Sequence, residues 1–307
     1  FASSCAPGRP GATPLVAMAP ASASAAEGKQ GFSALGLGAA LQCGEAITLG
    51  MPLEVWKTRM GRYRDETTLQ SLRHIYGNGG VSAFWTGIGP KMVECATKGA
   101  VLLFAKELLM DASTGLGMSK TASGVVAGAG GGVCQTVVMG PCTFLVTAVV
   151  NGGKDMSVSH ALRTTWRDKG VAGFYPGGIA IAFRQASNWA SRQGFTEAAR
   201  SRVQIAFHND PNAKLTKSQE VLSGIIGGAL SCWNHPFEVA RIEMQSRAIA
   251  GESYMGMGQV FRAVYSQYGM AGLFSGVVPR IGLNIWQTLF MVTGAQLVRD
   301  AISERKS

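Results

Sequence analysis

The chain has 307 residues, of which 47% are hydrophobic and 41 are glycine, while only 15% are charged against roughly 25% in soluble domains, a balance that suits helices packed closely in lipid. Its net charge of +10, from 28 Lys plus Arg against 18 Asp plus Glu, favours an anionic partner: nucleic acid, anionic lipid or an acidic solute. Six scattered cysteines with no C-x-x-C pair argue against a disulfide framework or a zinc site, and no H-E-x-x-H, phosphate loop or nucleophile elbow points to an enzyme or a cofactor.

In chain order, residues 1–30 are rich in Ala, Ser, Pro and Gly and are expected to be a disordered tail or the remnant of a targeting segment, outside the fold. A Gly-rich, weakly polar helix is expected at about 31–60, bent at Pro52. The amphipathic run TLQSLRHIYGNGG reads as a short surface helix closed by glycine, followed by Trp85 and Gly87 and by a second long helix at 89–111. The same order returns twice. Pro141 lies in a helix at 121–150, SHALRTTWRDKG is the next surface helix, and Tyr175 and Gly177 precede a helix at 179–203. Pro236 lies in a helix at 217–247, GQVFRAVYSQYG follows, and Phe274 and Gly276 precede a helix at 277–303.

Two landmarks recurring three times make an internal repeat, with units at about 31–112, 118–205 and 217–303 in one domain of residues 31–303. No run of about 18 uninterrupted apolar residues occurs, yet helices of 20 to 30 residues reach across a hydrocarbon core of about 30 Å when one face meets a wet cavity. The expected fold is therefore an all-α membrane protein, with six transmembrane helices in three pseudosymmetric repeats and three short surface helices. Glycines on every odd helix (Gly36, Gly38, Gly44; Gly128, Gly130, Gly131, Gly132; Gly224, Gly227, Gly228) are expected to let helix backbones approach closely. A helical solenoid would have shorter repeats and far more charge.

Pro52-Leu53-Glu54-Val55-Trp56-Lys57 and Pro236-Phe237-Glu238-Val239-Ala240-Arg241 resemble the P-x-[DE]-x-x-[KR] signature of the mitochondrial carrier family. ATKGAVLLF from Ala96, RQASNWASRQGF from Arg184, SCWNHPFEVARIEMQS from Ser231 and PRIGLNIWQTLFMV from Pro279 are similar to strings of the family's fungal-type citrate and 2-oxoglutarate carriers. The resemblance implies a multi-pass antiporter of the mitochondrial inner membrane that exchanges citrate for 2-oxoglutarate or related tri- and dicarboxylates by alternating access. The surface helices would then lie on the matrix side, the chain would act as a monomer, and inner-membrane lipid, with cardiolipin foremost, would surround it. Alternatives are another organic anion, a secondary role in mitochondrial DNA binding, or a structural subunit of a larger membrane assembly.

The resemblance also implies a matrix gate at Pro52, Glu54, Lys57, Pro141, Pro236, Glu238 and Arg241, since a permanently open path would leak protons. The middle copy, Pro141-Cys142-Thr143-Phe144-Leu145-Val146, has lost both charges. By the family's geometry only Glu238 with Lys57 survives, and Glu54 and Arg241 lose their partners unless Arg59 and Glu243 supplement the gate. The aromatic-acidic motif of the even helices is degenerate too, Phe104, Phe195 and Phe290 being followed by Ala105, Thr196 and Met291.

Charges deep in a membrane are expensive and mark function. Lys91, Glu94 and Lys98 share one helix face, and the resemblance singles out Glu94, Lys98 and Leu102 as a first substrate contact. Arg184, Asn188 and Arg192 form a stripe, with Arg184 and Gln185 matching a second contact. Arg280, Asn284 and Gln287 share a face, with Arg280 taken as the third. Glu45 is expected to tune the cavity, carry a coupled proton or simply pack. Lys98, Arg184 and Arg280 supply cations from three helices, and arginine's planar fork suits a carboxylate.

Overall fold

The computed structural model describes residues 28–153, 156–208, 210 and 215–304; all the secondary structure among them is helical. Residues 1–27 of the expected tail lie outside the described residues, whereas residues 28–30 are already helical. Helix α1 (Gly28–Glu45) runs through a π turn (Ala46–Gly50) into α2 (Met51–Arg62), and α3 (Thr68–Gly79) and a 3₁₀ stretch (Gly80–Trp85) lead to α4 (Ile88–Gly115). The second unit comprises α5 (Lys120–Cys134), α6 (Thr136–Asn151), α7 (Val158–Lys169) and α8 (Gly178–His208). The third comprises α9 (Lys217–Leu230), a 3₁₀ turn (Ser231–Asn234), α10 (His235–Ile249), α11 (Met257–Leu273) and α12 (Val277–Glu304). Side chains cap several starts: Thr67 and Thr216 form capping boxes with Gln70 and Gln219.

Each odd run breaks a few residues before its proline rather than at it. Proline lacks an N–H and its ring crowds the carbonyl four residues back, so the helix loses its bond there. Thr48 leaves helical geometry at ψ −112°, α5 and α6 meet at 41° around Gln135, and a 3₁₀ turn precedes Pro236. The recurring aromatic residues satisfy carbonyls at the first two breaks: Trp85 Nε1 donates to Ile47 O (2.6 Å) and the Tyr175 hydroxyl to Val137 O (2.9 Å). Phe274 has no donor; at the third break His235 Nε2 bonds Ser275 O instead (2.8 Å).

Consecutive runs pack as a ring, α1 on α4, α4 on α5, α5 on α8, α8 on α9, α9 on α12 and α12 on α1. The segments beyond the breaks, α2, α6 and α10, also pack on one another in all three combinations, which α1, α5 and α9 do not match. The ring is thus drawn shut at one end. Three small cores hold that end: Met51, Val55, Ile75 and Val146; Phe144, Leu145, Ala148, Ala161 and Phe174; and Ala180, Val239, Ala240, Met244, Val260 and Val264.

Glycines do seat neighbouring helices, though not all those expected. Gly131 receives Leu102, Gly132 receives Trp189 and Gly224 receives Thr288, while no described atom comes within 4 Å of a Cβ built on Gly36, Gly38 or Gly128. No single described helix is long and apolar enough to cross a membrane by itself; the bent pair Ala122–Cys134 with Thr136–Asn151 is, by length and composition.

Candidate functional site

The charged residues of the three units converge at the closed end. On α4, Glu94 Oε1 lies 3.2 Å from Lys91 Nζ and 3.6 Å from Lys98 Nζ, and Lys91 reaches Glu54 Oε2 on α2 at 3.9 Å. Lys57 Nζ bridges Glu54 (2.7 Å) and Glu238 of α10 (2.8 Å). Glu238 in turn meets Arg241 Nη2 (2.8 Å) on its own helix and Arg184 Nε of α8 (3.1 Å). The result is one continuous chain of charges from Lys98 to Arg184, running through α4, α2, α10 and α8.

Arg280 of α12 stands beside this chain but pairs with no carboxylate among the described residues. Its guanidinium donates to Asn234 Oδ1 and lies 3.3 Å from His235 Nδ1, and Asn234 Nδ2 donates to Arg184 O (3.2 Å) and Ser187 Oγ (3.1 Å). With His235 Nε2 donating to Ser275 O, Nδ1 is left as an acceptor for Arg280, so the imidazole is neutral in this arrangement. Six cations (Lys57, Lys91, Lys98, Arg184, Arg241, Arg280) thus face three carboxylates (Glu54, Glu94, Glu238), an excess of three positive charges in a mostly buried cluster. Lys98 and Arg184 keep 18% and 16% of their side-chain surface exposed, so neither is sealed in the cluster.

Where the middle signature copy lacks charges, hydroxyls and an amide take over. Arg241 Nη1 donates to Gln245 Oε1 (2.7 Å) and Thr147 Oγ1 (3.3 Å), and Gln245 Nε2 donates to Thr143 Oγ1 (3.2 Å), tying α10 to α6. The expected supplement from Arg59 needs correction: Arg59 turns to Glu66 of its own unit (2.9 Å from Nε), and Glu243 is held by Arg62 (2.5 Å) and Arg64 (2.9 Å). Arg59 lies one turn short of the α2 end, whereas Arg62 and Arg64 stand where the chain leaves the helix beside α10.

Several other candidates are committed to packing. Leu102 is 4% exposed and fills the notch at Gly131 on α5. Gln185 Nε2 donates to Gln135 Oε1 (2.7 Å), whose amide donates to Lys98 O (3.0 Å). Asn284 donates to Gly228 O (3.0 Å). Asn188, Arg192 and Gln287 are partly buried on α8 and α12. Glu45 is buried at the end of α1 with Oε1 lacking a hydrogen-bond partner. Asn234, His235, Gln135, Thr147 and Gln245 were not among the residues expected from the sequence; the place of Asn234, His235 and Gln135 at a proline break could have flagged those three, whereas Thr147 and Gln245 lie further along α6 and α10 and carry no such signal.

Toward the open end, Phe104 is 72% exposed, and the ion pair Arg200 to Glu220 (3.1 Å) joins the neighbours α8 and α9 rather than crossing the ring.

Comparison with known proteins agrees with this threefold arrangement. The family described as "Mitochondrial carrier protein" matches residues 29–115, 118–206 and 213–306. The citrate/oxoglutarate carrier protein of Saccharomyces cerevisiae is 36% identical over 284 residues, covering 89% of this chain and 90% of that relative. The tricarboxylate transport protein of the same yeast is 26% identical over 58% of this chain and 62% of its own length, and the mitochondrial glycine transporter of Xenopus laevis is 25% identical over 76% and 78%.

Proposed function

The chain belongs to the mitochondrial carrier family, and on that premise we propose that it spans the mitochondrial inner membrane and exchanges citrate for 2-oxoglutarate. The observation that carries this reading is the excess of three positive charges at the closed end of the ring, drawn from three even helices and two odd ones. A tricarboxylate neutralises that excess; a neutral amino acid leaves it whole in a site where bare charge is costly. A relative 36% identical over 89% of this chain is named for citrate and oxoglutarate, which supports the same substrate class.

Lys98, Arg184 and Arg280 bind the carboxylates, with Glu94 holding Lys98 in place. Arg184 is also a partner of the gate carboxylate Glu238, so a substrate carboxylate that takes Arg184 removes one support of the gate. A bound anion thereby lowers the barrier between the two access states, whereas an empty site keeps its pairs and interconverts slowly, which makes exchange obligatory. Leu102 and Gln185 act in this scheme as helix-packing residues, Leu102 against Gly131 and Gln185 through Gln135 to the backbone carbonyl of Lys98.

The test is uptake of labelled citrate into liposomes holding the purified protein and preloaded with citrate, 2-oxoglutarate, phosphate, ADP or nothing. Uptake should require internal citrate or 2-oxoglutarate and disappear in Arg184→Ala. Uptake under no preload condition would remove citrate as the substrate.

A further inference from the structure

Glu45 is a carboxylate the exchange scheme leaves unused. It ends α1 where the π turn Ala46–Gly50 begins, is 4% exposed, and has Oε1 without a hydrogen-bond partner. None of the ion pairs of the charge chain includes it: Lys91 is engaged by Glu94 and Glu54, and Lys98 by Glu94. The carboxylate lies against the π turn itself, since a Cβ on Gly50 would stand 2.5 Å from Oε1.

Among the described residues, the ionisable groups near enough to act on the charge of Glu45 are Lys91, Lys98, Glu94 and Cys95 of α4 and Glu54 of α2. From α12 comes Trp286, whose indole Nε1 donates to Thr48 Oγ1 (3.2 Å) and Glu45 O (3.4 Å). Glu45 is therefore a fourth carboxylate next to a cluster in which six cations already face three, buried but without a counterion of its own. A buried carboxylate in that position is tolerated when it can exchange its charge for a proton.

We propose that Glu45 is a proton-binding site that equalises the charge of the two exchanged substrates. This rests on the exchange of a tricarboxylate for a dicarboxylate proposed above. With the trianion bound, Glu45 carries a proton, and substrate plus Glu45 together hold three negative charges. With the dianion bound, Glu45 is ionised and the sum is again three. Both loaded states thus match the same excess of three positive charges. The O–H bond forms with a proton from the side on which the trianion enters and breaks toward the side on which it leaves. One proton accompanies each trianion, and a full exchange moves no net charge.

The experiment uses the full-length protein in liposomes, with Glu45→Gln and Glu45→Asp. Wild-type exchange of citrate against 2-oxoglutarate should accelerate under a pH gradient that is acidic on the citrate side. It should not respond to a membrane potential set by potassium and valinomycin. Glutamine imitates the protonated acid permanently, so Glu45→Gln should retain citrate/citrate exchange but lose 2-oxoglutarate/2-oxoglutarate exchange by about tenfold or more, as expected when a buried charge is left unmatched. Glu45→Asp should retain both. Equal loss of both homoexchanges in Glu45→Gln, or loss of neither, overturns the proposal, as does wild-type exchange driven by potential and indifferent to pH. Those results leave citrate exchange itself standing, whereas absence of any wild-type citrate uptake overturns the functional reading and this proposal with it.

Discussion

Gly177 offers a measurable check on how the closed end is held. It follows the Tyr175 landmark at φ +74°, and a Cβ there would stand 3.2 Å from Arg241 Cα and 3.3 Å from Arg241 O. Its two counterparts make the same contact with the next odd run: Gly87 (φ +86°) against Val146 Cα, and Gly276 (φ +84°) against Lys57 O. Each docks on the basic position of a signature copy or its equivalent, so the three glycines clasp the ring end by backbone contact. Gly177→Ala should cost about 1–2 kcal/mol for the left-handed conformation and about 1–3 kcal/mol for crowding against a backbone that cannot rotate away. At roughly 2–4 °C per kcal/mol, thermal unfolding in detergent should fall by about 4–20 °C. Gly89→Ala is the control, since a Cβ there meets nothing within 4 Å and alanine favours the helix by about 1 kcal/mol. The reasoning fails if far-UV circular dichroism melts place the two variants at the same temperature.

Two further predictions separate substrate contact from packing. Leu102→Ala should lose about 2–5 kcal/mol of stability by leaving a cavity at Gly131, with the half-saturating citrate concentration unchanged; a raised half-saturation in a protein of wild-type stability would return Leu102 to the substrate site. Asn234→Ala or His235→Ala should raise half-saturation for citrate about tenfold with maximal exchange little changed, because each removes a neutral acceptor that aims Arg280; half-saturation unchanged from wild type in both variants would show that Arg280 needs no such support.

The repeat, its prolines and its aromatic-glycine pairs could be read from residue types and intervals alone, whereas the pairing of Lys57 with Glu238 was implied by the resemblance of the two signature copies to the family's gate. What the sequence concealed was which neighbour each side chain meets, and the reason is rotational. A helix turns about 100° per residue, so a step of four overshoots a full turn by about 40° and two such steps by about 80°. Glu94, Lys98 and Leu102 look like one stripe, yet that drift carries Leu102 from the ring interior onto Gly131. Arg280 faces the charges while Asn284 and Thr288, four and eight residues on, settle on Gly228 and Gly224 of α9. Steps of three fall about 60° short of a turn, so alternating three and four keeps a row facing inward. Lys91, Glu94 and Lys98 follow that alternation, and they are the residues whose charges meet. The proline breaks hid the remainder. Asn234 and His235 precede a proline on an odd run, where periodicity stops being informative, and only the 3₁₀ turn brings both to Arg280. In a ring of helices, then, a polar residue just before a break is as strong a candidate for aiming a substrate-binding cation as one on the even helix that carries it.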